Sequence, residues 1–283
     1  MIYLKGFSLV SENTENIILS EEKRTYFHNQ YPFRIFPKKE FKDIKFSDVT
    51  LLYGGNGSGK STILNIIANK LKCDGSFGVH GEMMMKYLDN CKFETSMEYF
   101  EEAKIIRSDD VFDYISNVRR INNRGFSQRE MLFKEYFDNK DKTIDDMNDY
   151  QNLKNSIDAK RKSASNYVRN RALDKDVKEQ SNGESALMYF VSEIKENSLY
   201  LLDEPENSMS AAMQLKLTKF LEESARFFNC QFIIATHSPF LLGMTGATIY
   251  DLDSVPVTSK NFWELENMKL YYDFFKQNSA KFE

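Results

Sequence analysis

Gly54-Gly55-Asn56-Gly57-Ser58-Gly59-Lys60-Ser61 is the stretch that decides how the rest of the chain is read. Its glycines let the backbone turn tightly, so that N–H groups can face inward around an anion. The octet satisfies G-x-x-x-x-G-K-[ST], a pattern whose lysine and hydroxyl stand where phosphates and a divalent cation need them. Its flanks agree: Val49-Thr50-Leu51-Leu52-Tyr53 before it reads as a buried strand, and Ile63, Leu64, Ile66, Ile67 and Leu71 after it recur at helical spacing. In that order Lys60 neutralises β- and γ-phosphates, the Ser61 hydroxyl completes the coordination of Mg²⁺, and Thr62 adds a weaker phosphate contact. A glycine-rich turn ahead of a helix explains the glycines without explaining Lys-Ser in register.

Two more apolar runs, Leu199-Tyr200-Leu201-Leu202 and Gln231-Phe232-Ile233-Ile234-Ala235, read as strands bracketing a helical segment from Ala211 to Phe228. Alternating strand and helix implies an α/β fold with a mostly parallel sheet flanked by helices. Asp203 closes the first run and Glu204 follows it. At the carboxyl end of such a strand Asp203 is a candidate magnesium ligand, and Glu204 is a candidate general base for an attacking water. Alone, Asp-Glu after a strand is more often a helix start. The second run ends in Ala235-Thr236-His237-Ser238-Pro239, placing His237 at the same sheet edge as a candidate γ-phosphate contact; a lone histidine is otherwise usually structural.

Gln180-Ser181-Asn182-Gly183-Glu184-Ser185 precedes the apolar stretch Ala186-Leu187-Met188-Tyr189-Phe190. Ser181 and Glu184 form a capping box, and a capped helix N-terminus is also an anion site, so Ser181, Asn182, Gly183 and Glu184 are candidate nucleotide contacts.

Composition narrows the class. A chain of 283 residues, 41% hydrophobic, can bury a large core. The opening residues lack a signal peptide's charged flank and apolar core, and no stretch approaches the ~18 apolar residues of a membrane span. The expected location is cytoplasmic, with no membrane contact. Cys73, Cys91 and Cys230 form no CxxC pair, so neither a disulfide framework nor a zinc site is expected. A net charge of -4 argues against coating nucleic acid through the global field.

Taken together these motifs resemble those of ABC-type ATPases, with Ser181 to Glu184 similar to the ABC signature. The resemblance is to the soluble branch that includes the structural-maintenance-of-chromosomes and overcoming-lysogenization-defect ATPases and small bacterial AAA-family ATPases. It rests on the terminal Glu184 of the signature, on Asp203-Glu204-Pro205-Glu206, and on Thr236-His237-Ser238-Pro239. What it implies is ATP with Mg²⁺ bound at Lys60 and Ser61 of one subunit, closed over by Ser181, Gly183 and Asn207-Ser208 of another, as a homodimer sandwiching ATP. It leaves Asp109 as the candidate acidic metal contact and Tyr31, Phe33 and Phe36 as candidates for stacking on adenine, each of which also reads as core.

The expected organisation is 1–92 for N-terminal strands and the phosphate-binding half, 93–180 for an inserted helical subdomain, and 181–283 for the remaining motifs and a C-terminal helix. The apolar run Ile17-Ile18-Leu19 reads as one of the N-terminal strands. About 120 residues between Lys60 and Ser181 suit a helical lobe and exclude a long coiled-coil arm. Arg119-Arg120, Arg124, Lys160-Arg161-Lys162, Arg169 and Arg171 are either a solvated face or a contact for nucleic acid. The leading functional expectation is ATP-driven dimerisation that controls a partner protein, such as a nuclease or toxin in anti-phage defence, or that handles DNA. The alternatives are the ATP-binding subunit of a membrane transporter and a nucleotide-sensing scaffold with little turnover.

Overall fold

A computed structural model describes residues 1–21, 31–76, 81–96, 102–121, 134–138 and 182–281, without the side chains of 117–121. The chain divides into two compact units: Met1–Ile106 with Leu199–Pro205 and Gln231–Glu283, and Arg107–Ser198 with Glu206–Cys230.

The first unit is built on a six-stranded sheet in the order β5-β6-β7-β3-β8-β9, comprising β3 (Val49–Tyr53), β5 (Glu102–Arg107), β6 (Ser198–Asp203), β7 (Gln231–Thr236), β8 (Thr248–Asp251) and β9 (Thr258–Lys260). Strand β3 runs parallel to β7 and β8, β6 runs parallel to β7, and only the hairpin β8-β9 is antiparallel among the pairings described. Every residue of β3 and β7 is buried, the pattern of strands covered on both faces. Helix α2 (Lys60–Leu71) covers this sheet with Ile63, Leu64, Ile66 and Ile67, all buried.

A second sheet, β2-β1-β4, is antiparallel, with β1 (Leu4–Ser8) between β2 (Asp43–Lys45) and β4 (Lys92–Thr95). Gln231, the first residue of β7, is fully buried and joins the two sheets. Its Oε1 accepts from the N–H of Tyr3 (2.9 Å) and of Leu4 (2.8 Å), while Nε2 donates to the carbonyls of Leu4 (2.8 Å) and Ser47 (3.1 Å). Read from the sequence it was one more position of an apolar strand.

Two local expectations change. Ile17-Ile18-Leu19 lies in helix α1 (Glu12–Glu21), not in a strand. Ser11 Oγ accepts from the Thr14 N–H (3.4 Å) at its start, and Glu15 and Ile18, three apart, point inward while Ile17 is exposed. Strands β4 (Lys92–Thr95) and β5 (Glu102–Arg107) fall almost wholly in the stretch read as helical insert. Their charged residues set the local composition, but backbone pairing to β1 and burial of Ile105 and Ile106 set the structure. Helix α3 (Glu82–Asn90) leads into β4, packing Tyr87 edge-on against Phe33 at 5.1 Å. Most of the remaining 93–180 segment, and with it the side chains of the basic stretch from Arg119 to Arg171, lies outside the described residues.

The second unit is helical where described, with α4 (Ser108–Ile121), residues 134–138, α5 (Asn182–Glu193) and α6 (Ala211–Phe227). Helix α5 packs against α4 through Tyr114 and Tyr189 (5.0 Å between ring centres), and Phe137 meets Phe220 of α6 at 6.5 Å. All three cysteines are free and buried, and burial pushes each thiol up to about 12, so none is a nucleophile at neutral pH. Among the described residues no helix is long and apolar enough to cross a membrane.

Replacing Gln231 with Leu withdraws four hydrogen bonds, three of them buried, from backbone groups of two segments. The expected cost is roughly 3 kcal/mol of stability, read as a lowered midpoint of urea unfolding.

Candidate nucleotide-binding site

The site lies at the carboxyl edge of the first unit's sheet, where three parallel strands end within one residue of a common level. Asp203 of β6 pairs with Ala235 of β7, and Tyr53 of β3 pairs with Thr236. His237 and Gly54 follow at one level and Glu204 one residue short of it, so all three leave the sheet within one residue of each other. Each exit has its own local cause. Ser238 Oγ accepts from the N–H groups of Phe240 (3.2 Å) and Leu241 (3.4 Å), capping the short helix α7 (Pro239–Leu242) and ending β7 just before His237. Glu204 adopts φ 48°, while its N–H still donates to the Ala235 carbonyl at 2.9 Å. A left-handed conformation costs a non-glycine residue roughly 1–2 kcal/mol, strain of the kind functional sites hold.

The loop after β3 reaches α2 through Gly57 (φ 79°) and Gly59 (φ 102°). A Cβ on Gly59 would sit 3.2 Å from the Phe36 ring, and one on Gly54 would come within 2.6 Å of Ser58 Oγ. An open cleft beside this loop is lined by Ile35, Asn56, Gly57, Ser58, Gly59, Lys60, Ser61, Thr62 and Glu204. The first backbone bond of the helical turn runs from the Ile63 N–H to the Gly59 carbonyl, and amides ahead of it in a helix have no intrahelical acceptor. That is the donor set an anion needs.

Lys60 is only 5% exposed, with Nζ donating to the carbonyls of Gly54 (2.7 Å) and Gly55 (3.1 Å). Glu204 Oε1 stands 3.8 Å from Lys60 Nζ and 3.8 Å from His237 Nδ1. Ser61 Oγ donates to Asp203 Oδ1 at 3.0 Å, so the hydroxyl and carboxylate expected to share a metal are adjacent. Ser58 Oγ is buried without a hydrogen-bond partner among the described residues, a polar atom that a phosphate oxygen nearby would satisfy. The residues present therefore fit a nucleotide triphosphate tail and a hard cation held by oxygen.

The remaining candidates belong to the second unit. Ser181 lies outside the described residues; Asn182 is the exposed first residue of α5, Glu184 is half-buried and Gly183 is buried. Gly183 lies against Ser208, Met209 and Met213, where a Cβ would meet Met213 Cγ at 3.3 Å and the Ser208 carbonyl at 3.6 Å. Asp109 is exposed in the first turn of α4, where its neighbour Asp110 accepts from the Arg107 N–H at 2.8 Å.

Of the adenine-stacking candidates, Phe33 and Phe36 are core, whereas Tyr31 is exposed. The residue lining the cleft from that segment is Ile35, which sequence reasoning passed over because it sought an aromatic. It also missed Asp253, whose Oδ2 accepts from the Gly55 N–H at 2.7 Å. The available signal was an acidic residue just beyond a further apolar strand, β8.

Among known proteins, the family model described as ABC transporter matches residues 42–207. A search of curated proteins found no match. Similar solved structures include the Smc head domain of Pyrococcus furiosus (13% identity, 97% of this chain and 100% of that chain, TM-score 0.44). The SMC head domain of Thermotoga maritima (12%, 92% and 98%, TM-score 0.41) and cbiO1 of Clostridium perfringens, part of the ABC transporter complex cbiONQ (19%, 86% and 88%, TM-score 0.42), are similar at the same level. Likeness at these values carries no functional argument.

Substituting Gly59 with Ala forces a side chain onto a left-handed residue against Phe36. The expected result is at least a tenfold rise in the Kd for ATP in calorimetric titration, with the protein still folded by circular dichroism.

Proposed function

Because this chain belongs to the ABC family of P-loop ATPases, we propose that it takes ATP with Mg²⁺ into the cleft at Asn56–Thr62 and hydrolyses it between two copies of itself. The observation that carries the reading is the position of Glu204, whose carboxylate oxygen is 3.8 Å from both Lys60 Nζ and His237 Nδ1.

In this reading the loop amides and Lys60 bind the β- and γ-phosphates. Ser61 and Asp203 hold Mg²⁺, which would neutralise phosphate charge. Glu204 accepts a proton from the water that attacks the γ-phosphorus, and the bond to the bridging oxygen breaks to release ADP and phosphate. His237 orients the γ-phosphate. Ser181, Asn182, Gly183 and Glu184 of a second copy close the site, using the N-terminus of α5 as an anion-binding end. Support for that role comes from Gly183, whose missing side chain lets α5 begin directly against the turn at Ser208. Asp109 remains a candidate metal contact.

The sequence resemblance to the soluble branch extends the proposal to purpose. ATP-driven pairing would switch a partner protein, such as a nuclease or toxin, or act on DNA, in defence against phage.

The test of the ATPase site uses two variants. Glu204→Gln should trap ATP and form a dimer with saturating ATP and Mg²⁺ while hydrolysis falls at least a hundredfold; Lys60→Ala should neither bind ATP nor pair in response to it. A Glu204→Gln protein that gains no ATP-dependent dimer in sedimentation sinks the two-copy site.

A further inference from the structure

Asp253 reaches the phosphate loop from far along the chain, and its contact falls on a single peptide unit. Its Oδ2 accepts from the Gly55 N–H at 2.7 Å, while the Gly54 carbonyl accepts from Lys60 Nζ at 2.7 Å. That N–H and that carbonyl belong to one planar trans peptide, so they point to opposite sides of it. One peptide dipole therefore lies between the Asp253 carboxylate and the Lys60 ammonium, its positive end on the anion and its negative end on the cation. Each charge polarises the unit toward the other, which strengthens both bonds.

This peptide needs holding. Both of its residues are glycines, whose backbone rotates more freely than any other, and a flip of the Gly54–Gly55 unit would carry the carbonyl away from Lys60. The glycines also make room for the carboxylate: a Cβ on Gly54 would stand 3.1 Å from Asp253 Oδ1, and one on Gly55 3.7 Å from Oδ2. Asp253 is itself fixed from behind. Its N–H donates to Asp251 Oδ1 at 3.0 Å, and the other oxygen of that buried carboxylate accepts from Lys260 Nζ at 2.6 Å. The preceding Leu252 N–H donates to the Tyr53 carbonyl at 2.8 Å, and the Leu252 carbonyl accepts from Lys39 Nζ. The turn after β8 is thus tied to the entry of the loop at two points.

A carboxylate beside a phosphate site works against the charge of the ligand, so two effects of opposite sign compete. Repulsion of phosphate is screened, because Asp253 is exposed to solvent. The hydrogen bond acts at contact distance on the peptide that faces Lys60, and it dominates.

We propose that Asp253 is a positioning residue of the nucleotide site, holding the Gly54–Gly55 peptide so that the Lys60 ammonium is in place before phosphate arrives. The inference rests on the ATP-binding role given above to Lys60.

The test reads Lys60 directly. Competitive labelling of the nucleotide-free full chain with acetic anhydride, read by mass spectrometry, compares Lys60 with Lys5, an exposed lysine of β1. Asp253→Ala should raise Lys60 labelling about threefold or more relative to Lys5, and raise the Kd for ATP about fivefold or more in calorimetric titration. Asp253→Asn keeps an acceptor oxygen without the charge, and should bring both values to within about twofold of wild type. Both variants should keep the thermal midpoint, since the residue is exposed. Lys60 labelling that does not respond to Asp253→Ala overturns the proposal. So does ATP binding that tightens in both variants, which makes Asp253 a repelling charge only, and so does an Asp253→Asn protein that behaves as Asp253→Ala. Labelling is read without nucleotide, so a wild-type chain that binds no ATP sinks the ATPase reading while the labelling still decides this one.

Discussion

The shared register of three parallel strands is the constraint on which the site depends. Backbone pairing of β6, β7 and β3 sets Asp203 level with Ala235 and Tyr53 level with Thr236. The residues that follow, Glu204, His237 and Gly54, therefore leave the sheet within one residue of a common level, whatever their side chains. A slip of one residue in β6 would turn Asp203 to the other face of the sheet and separate its carboxylate from Ser61. Gln231 protects that register from the far end of β7, because its amide ties the first residues of the strand to β1 and to the turn at Ser47.

Within the site the electrostatics are those of a cation withdrawn from water. Lys60 is almost fully buried, and such a charge is tolerated only with close acceptors. Two loop carbonyls and the Glu204 carboxylate supply them. Phosphate oxygens are stronger acceptors for the same ammonium, so the loop is organised for an anion before one arrives. Glycine is required where this organisation leaves no room, at Gly54 beside Ser58 and at Gly59 beside Phe36. The constraint at Gly183 in the second unit is of the same kind, an absent side chain that permits close approach of backbone.

The chain offers two surfaces of different physical character. The edge that carries the phosphate loop is polar, lined by amides, Lys60, Ser61, Asp203, Glu204 and His237. The C-terminal helix α8 (Glu266–Gln277) exposes Leu270, Tyr271, Tyr272 and Phe274, so whatever meets it gains from removing apolar area from water. Both begin at Tyr53, whose chain continues into the phosphate loop and whose hydroxyl receives the start of α8.

By itself the sequence determined the phosphate loop, the Asp203-Glu204 strand end, His237 and the parallel α/β class. These are encoded within a few consecutive residues, where apolar runs and the polar residues ending them report directly on strands and their tips. Only the tertiary structure decided what depends on distant partners. Gln231 looks like any strand residue until it meets Tyr3 and Leu4, and Asp253 is unremarked until it meets the Gly55 amide, far apart in the chain. Ile17 to Leu19 became helical because an inward Glu15 and Ile18 packed at helical spacing, and β4 and β5 formed in a charged stretch because neighbouring strands offered hydrogen bonds. Phe33 and Phe36 went to the core, leaving Ile35 at the cleft, since packing around α2 and α3, rather than residue type, chose which side chain faced out.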